Sequence, residues 1–212
     1  MASVSPARAD EWAKQLDAVP NLLRSAPAGS SVVNRCWVPG ALDHRATNQV
    51  AIRAAPRSDA RVLKTIPSFR LEAGERIAPE FQVIGARAGW LLIHDVGFAG
   101  YDTPARTLLA GSGWIEARRM HVQIESFRLY RDPDPRSPLA ADMTPSSPSE
   151  EARLVMVHGC SGSMLDVTMR LRDGRTARGW AGGACSSQVT TCGGGHRIAI
   201  EKDGRIVQWN ND

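Results

Sequence analysis

Two segments of the chain hold residue types that could do chemistry. Gly159-Cys160-Ser161-Gly162 sets a thiol between glycines, and Gly195-His196 sets an imidazole just before the run Arg197 to Ile200. A thiol becomes a nucleophile when an imidazole takes its proton, so Cys160 and His196 are a candidate peptidase pair. Such a thiol belongs at a helix N-terminus, which lowers its pKa. Here the residues after Cys160 alternate instead. Leu165, Val167, Met169 and Leu171 are interleaved with Asp166, Thr168 and Arg170, the period of a strand. His158, Cys160, Cys185, Cys192 and His196 are also zinc-ligand types, but no Cys-x-x-Cys knuckle is present, so no metal is expected. Gly182-Gly183 and Gly193-Gly194-Gly195 lack the Lys-Ser/Thr that follows a phosphate-cradling loop, and no cofactor is implied. The chemistry that remains is oxidation. An even set of four cysteines in a Gly-rich chain predicts two disulfides and an oxidising compartment, the alternative being buried free thiols. Of three possible connectivities, closeness in sequence favours Cys185 with Cys192, which leaves Cys36 with Cys160.

The elements that position these residues are mostly strands. The chain has 212 residues, 42% hydrophobic and 23% charged, enough to bury a core. Its net charge is +4, and the basic residues are spread without a cluster, which argues against nucleic-acid binding. No stretch approaches the ~20 apolar residues of a membrane span. Met1 to Asp10 holds no apolar signal-peptide core, so the chain is expected to be either cytoplasmic or a mature exported form. Trp12, Leu16, Val19 and Leu23 share one helical face, and Ser25 to Ser31 reads as a linker, so residues 1–47 are an N-terminal helical arm with its linker. From Val50 the texture is of short strands bounded by turn residues: Val50 to Ile52, Arg61 to Ile66, Phe81 to Ile84, Leu91 to His94 and Trp114 to Ala117. Asp132 to Glu151 holds five prolines and reads as an extended loop. Residues 193–212 form a closing hairpin around Asp203-Gly204.

An internal repeat organises these strands. Val83-Ile84-Gly85 with Trp90-Leu91-Leu92-Ile93 matches Val157-His158-Gly159 with Met164-Leu165-Asp166-Val167, 74 residues on. Gly113-Trp114 matches Gly179-Trp180, 66 residues on, so the first copy holds extra residues, placed in a loop over Gly97 to Ala110. Upstream, Ile52-Arg53 to Pro56 and Ala60 to Leu63 match Tyr130-Arg131 to Pro133 and Ser137 to Ala140. The units span residues 48–123 and 124–192.

The order Arg53, Pro56, Val62, Trp90, Gly113 and Trp114 resembles the bacterial SH3-like domain family, small barrels of five to six strands. The second copy departs from it, with Met164 where the family's first Trp stands. The resemblance implies a mostly β fold, two small SH3-like barrels in tandem behind the helical arm. It also implies binding without catalysis: a cell-wall peptide such as peptidoglycan, or a protein partner, in the periplasm or outside the cell. Trp90, Tyr101, Trp114 and Trp180 are then the candidate ligand contacts, since such barrels bind extended peptides in aromatic grooves. Long loops on a rigid barrel raise an alternative, an inhibitor or immunity protein that blocks a secreted hydrolase or toxin. Gly159-Cys160-Ser161-Gly162 and His196 also resemble the NlpC-type cysteine peptidases, although Gly159 stands where that family has Asp.

Overall fold

A computed structural model describes residues 34–43, 49–99, 103–124, 126–143, 153–171 and 173–186, with the backbone of 197–200 and 206–209. Of the stretch 1–47 expected as helix and linker, residues 34–43 are described and Asn34–Leu42 are a strand; the helix itself, Tyr101, Cys192 and His196 lie outside these residues. The described chain is mostly β, with a curled half-barrel sheet.

The first sheet takes β1 (Asn34–Leu42), β2 (Gln49–Arg53), β3 (Val62–Pro67), β6 (Glu80–Arg87), β7 (Trp90–Phe98), β8 (Arg106–Glu116) and β9 (Met120–His121). Their order is β3-β2-β8-β7-β6-β1-β9. A small hairpin, β4 (Arg70–Glu72) and β5 (Glu75–Ile77), stands between β3 and β6. A single 3-10 turn, Ala117–Arg119, separates β8 from β9. The second sheet takes β11 (Arg128–Tyr130), β12 (Leu139–Asp142), β13 (Arg153–Ser161), β14 (Met164–Arg170) and β15 (Thr176–Ala181), in the order β12-β11-β15-β14-β13. β10 (Gln123–Ile124) pairs with β16 (Ala184–Cys185). β17 (Arg197–Ile200) pairs with β18 (Ile206–Trp209).

The two sheets repeat one another in register. Ala86 pairs with Leu91 and Arg87 with Trp90; 74 residues later Cys160 pairs with Leu165 and Ser161 with Met164. A bulge falls between Val83 and Gly85 in one copy and between Val157 and Gly159 in the other. Arg53 pairs with Trp114, and Tyr130 with Trp180. The hairpin arches match as well. Ala54 N–H donates to the Arg61 carbonyl at 2.9 Å, and Arg131 N–H to that of Pro138 at 2.9 Å. In each copy the strand after the meander returns to the strand before it, β9 to β1 and β16 to β10.

Local chemistry explains the joints. Ala88 and Gly89 have φ of 48° and 80°, the left-handed pair that a two-residue hairpin turn requires. Gly179 is a close-approach site: a Cβ there would stand 2.8 Å from the Tyr130 carbonyl oxygen. Gly113 is its counterpart, where a Cβ would collide with the Ile52 side chain.

Both copies feed one apolar core. Val83, Leu91, Ile93 and Ile115 from the first sheet join Val157, Leu165, Val167 and Ala181 from the second. Cys36 on β1 and Cys160 on β13 are buried in this core and form a disulfide, with Cα atoms 5.8 Å apart across 124 residues of chain. β1 is thus bound to both copies. It pairs antiparallel with β6, and its Trp37 N–H donates to the Gly162 carbonyl at 2.8 Å.

Two expected loops are shorter than the sequence implies. Gly97 and Phe98 end β7, and Arg106 to Ala110 begin β8, so the hairpin takes half of the inserted stretch. Bulges on either side of Val96, with Asp95 at a φ of 49°, let the ladder continue through residues of no clear alternation. Likewise, Leu139 to Asp142 inside the Pro-rich stretch form β12, because backbone pairing with β11 does not need an apolar face.

Candidate functional site

The disulfide removes Cys160 from nucleophilic chemistry. Its sulfur is bonded to Cys36, it is fully buried, and it lies on β13 rather than at a helix start. Cys185 is also disulfide-bonded, and Cys192, its expected partner, is outside the described residues. Among the described residues no His, Cys, Asp and Glu group has the makings of a metal site. A Ser-His-Asp line that the sequence reading missed does form: His94 Nδ1 lies 2.9 Å from Ser112 Oγ, and His94 Nε2 lies 3.2 Å from the Asp95 carboxylate. The register that faces His94 with Ser112 creates it, a tertiary fact with no local signal. Ser112 is only 8% exposed, so its hydroxyl satisfies the imidazole rather than meeting a substrate.

The outer faces of the two sheets differ at matched positions. In the first copy, Ile84, Leu92 and Trp114 form a solvent-free cluster, with Trp37 and Trp90 packed against it. Trp114 is therefore a packing residue and not a groove wall; Trp90 is half-buried over the same cluster. In the second copy these positions are His158, Asp166 and Trp180, all only partly buried. They line a pocket of about 150 Å³ together with Asn34 and the β6–β7 turn residues Arg87 and Ala88. Of the expected aromatic contacts among the described residues, Trp180 is the one that lines this pocket.

Asp166 and His158 each have a partner on the second sheet. Arg178 donates two hydrogen bonds to Asp166, Nε at 2.9 Å and Nη2 at 2.6 Å. His158 Nε2 lies 2.8 Å from Thr168 Oγ1. Burial lowers the His158 pKa below its ordinary value of 6.5, and neighbouring Arg178 pushes the same way against Asp166. The imidazole is thus neutral at pH 7 and can both donate and accept a hydrogen bond. An aromatic face, a neutral imidazole and an amide converge on one concavity, the composition of a small binding site.

No family model, curated protein or solved structure matches the chain. No helix among the described residues is long and apolar enough to cross a membrane.

Proposed function

We propose that the protein is a non-catalytic binding protein of the bacterial cell envelope, built from two SH3-like units that recognise a peptide ligand, peptidoglycan peptide in the first place. The observation that carries this reading is the repeated five-strand order, with the strand before it paired to the strand after it in each copy. That topology suits an SH3-like barrel, and Arg53, Val62, Trp90, Gly113 and Trp114 of the motif that suggests the family are strand residues, with Pro56 in the β2–β3 arch. Burial of the Cys36–Cys160 disulfide supports a periplasmic or secreted location, where oxidised cysteines persist.

Sedimentation with purified, insoluble sacculi tests the reading. The wild-type chain should pellet saturably, and soluble wall peptides should release it. A chain that stays in the supernatant removes peptidoglycan as the ligand. The inhibitor or immunity role is the second reading, favoured by the β4–β5 hairpin, which holds Leu71 70% exposed near its tip. Under this reading the chain would instead co-elute at fixed stoichiometry with one hydrolase or toxin.

A further inference from the structure

We propose that the second copy is the binding copy, and that its pocket over Trp180 takes an uncharged stretch of peptide, a backbone amide with a small apolar side chain. The inference takes its peptide ligand from the function proposed above and assigns it a place and a chemistry.

The first copy serves as an internal control. The register faces Leu92 with Trp114 in one sheet and Asp166 with Trp180 in the other. In the first sheet that row is apolar and sealed from solvent. A row that served packing alone would be apolar in both. Putting a histidine and a carboxylate there costs stability unless each is paired. The second sheet supplies those pairs, Thr168 for His158 and Arg178 for Asp166, and leaves the row open. The first copy is thus finished as scaffold, while the second keeps a polar, wetted surface beside a half-exposed tryptophan.

The ligand chemistry follows from what is left over. The Asp166 charge is matched by Arg178, so this carboxylate does not call for a cationic ligand. His158 Nδ1, the Asn34 side-chain amide and the Trp180 indole N–H have no hydrogen-bond partner among the described residues. Together they offer donors and acceptors, which a peptide group answers with one of each. The Trp180 ring supplies an apolar face for a methyl-sized side chain. At roughly 30 Å³ per water, about 150 Å³ holds a handful of waters, which a peptide group with a small side chain can displace.

The test uses the full chain with two soluble probes, acetyl-trialanine amide and the N-acetylglucosamine tetramer, followed by NMR of the His158 imidazole and the Trp180 indole. The capped peptide should shift both signals and the saccharide neither. W180A, checked for folding by circular dichroism, should weaken peptide binding by about tenfold or more, the scale of one good contact. Should W180A fail to fold, W180F with H158Q takes its place, with loss expected on removing the imidazole and retention with the aromatic kept. Shifts caused by the saccharide alone, no shift with peptide, or a folded W180A that binds the peptide as tightly as wild type would each overturn the assignment. Sacculus pelleting separates this from the broader reading. A chain that binds the capped peptide but does not pellet keeps the pocket and loses the envelope. A W180A chain that pellets as strongly as wild type keeps the envelope and loses the pocket.

Discussion

His158 shows how one residue reports its surroundings. Its folded-state pKa is depressed, chiefly by burial, so the unfolded chain takes up the proton first as pH falls. Its contribution to stability is complete above about 6.5 and is lost as pH falls through the folded-state value. Urea melts at about pH 7.5 and about pH 5.5 should show a smaller loss in H158Q than in wild type. The two matched tryptophans make a second comparison. Trp114 is fully buried, and W114A should cost ~3–5 kcal/mol. Trp180 is only half-buried, and W180A should cost clearly less in the same melts. Equal costs would mean that the second sheet's outer face is covered as the first one is. The sequence marks both tryptophans as equivalent through their Gly-Trp pairs, yet cannot tell the fully buried one from the half-buried one. That difference comes from Trp90 on β7 and from Trp37, which packs on the first cluster from far away in sequence.

At the scale of elements, the crossings of β2 with β8 and of β11 with β15 depend on glycine. A Cβ at Gly179 meets backbone, the Tyr130 carbonyl oxygen, which cannot move aside without breaking the ladder. At Gly113 the obstacle is Cγ2 of Ile52, a stiff β-branched side chain fully buried in the core. G179A and G113A should therefore each destabilise by ~1–3 kcal/mol in equilibrium denaturation. A variant as stable as wild type would show that its crossing is loose enough to take the extra methyl. The strands themselves are legible where apolar and polar residues alternate, as in Leu165 to Leu171. They are not legible over Arg106 to Ala110 or Leu139 to Asp142, where pairing is set by the neighbouring strand and by bulges rather than by a buried face.

For the whole molecule, the disulfide between Cys36 and Cys160 closes a very long loop and joins β1 to the second copy. Closing a loop of that length restricts the unfolded chain strongly, on the chain-entropy account. The double variant C36A/C160A should lose ~2–5 kcal/mol in urea melts. Because both cysteines are fully buried, reductant alone should leave the native protein intact, while reductant added during unfolding should reproduce the loss. A variant as stable as wild type would mean that the shared core alone holds β1 in place.

The sequence by itself determined the local and the periodic: strand texture, the Asp-Gly and Gly-Trp landmarks, the repeat with its 74-residue offset, and an even set of cysteines. These are written in spacing, and spacing survives without knowledge of neighbours. The tertiary structure decided what depends on which residues meet. It buried Trp114 and left Trp180 half-exposed, merged two copies into one core, and placed Asn34 of β1 beside His158 of β13. It also brought Ser112 to His94. Each of these is a contact across many residues of chain, fixed by sheet register and by the covering strand β1. No local pattern of residue types encodes such a contact.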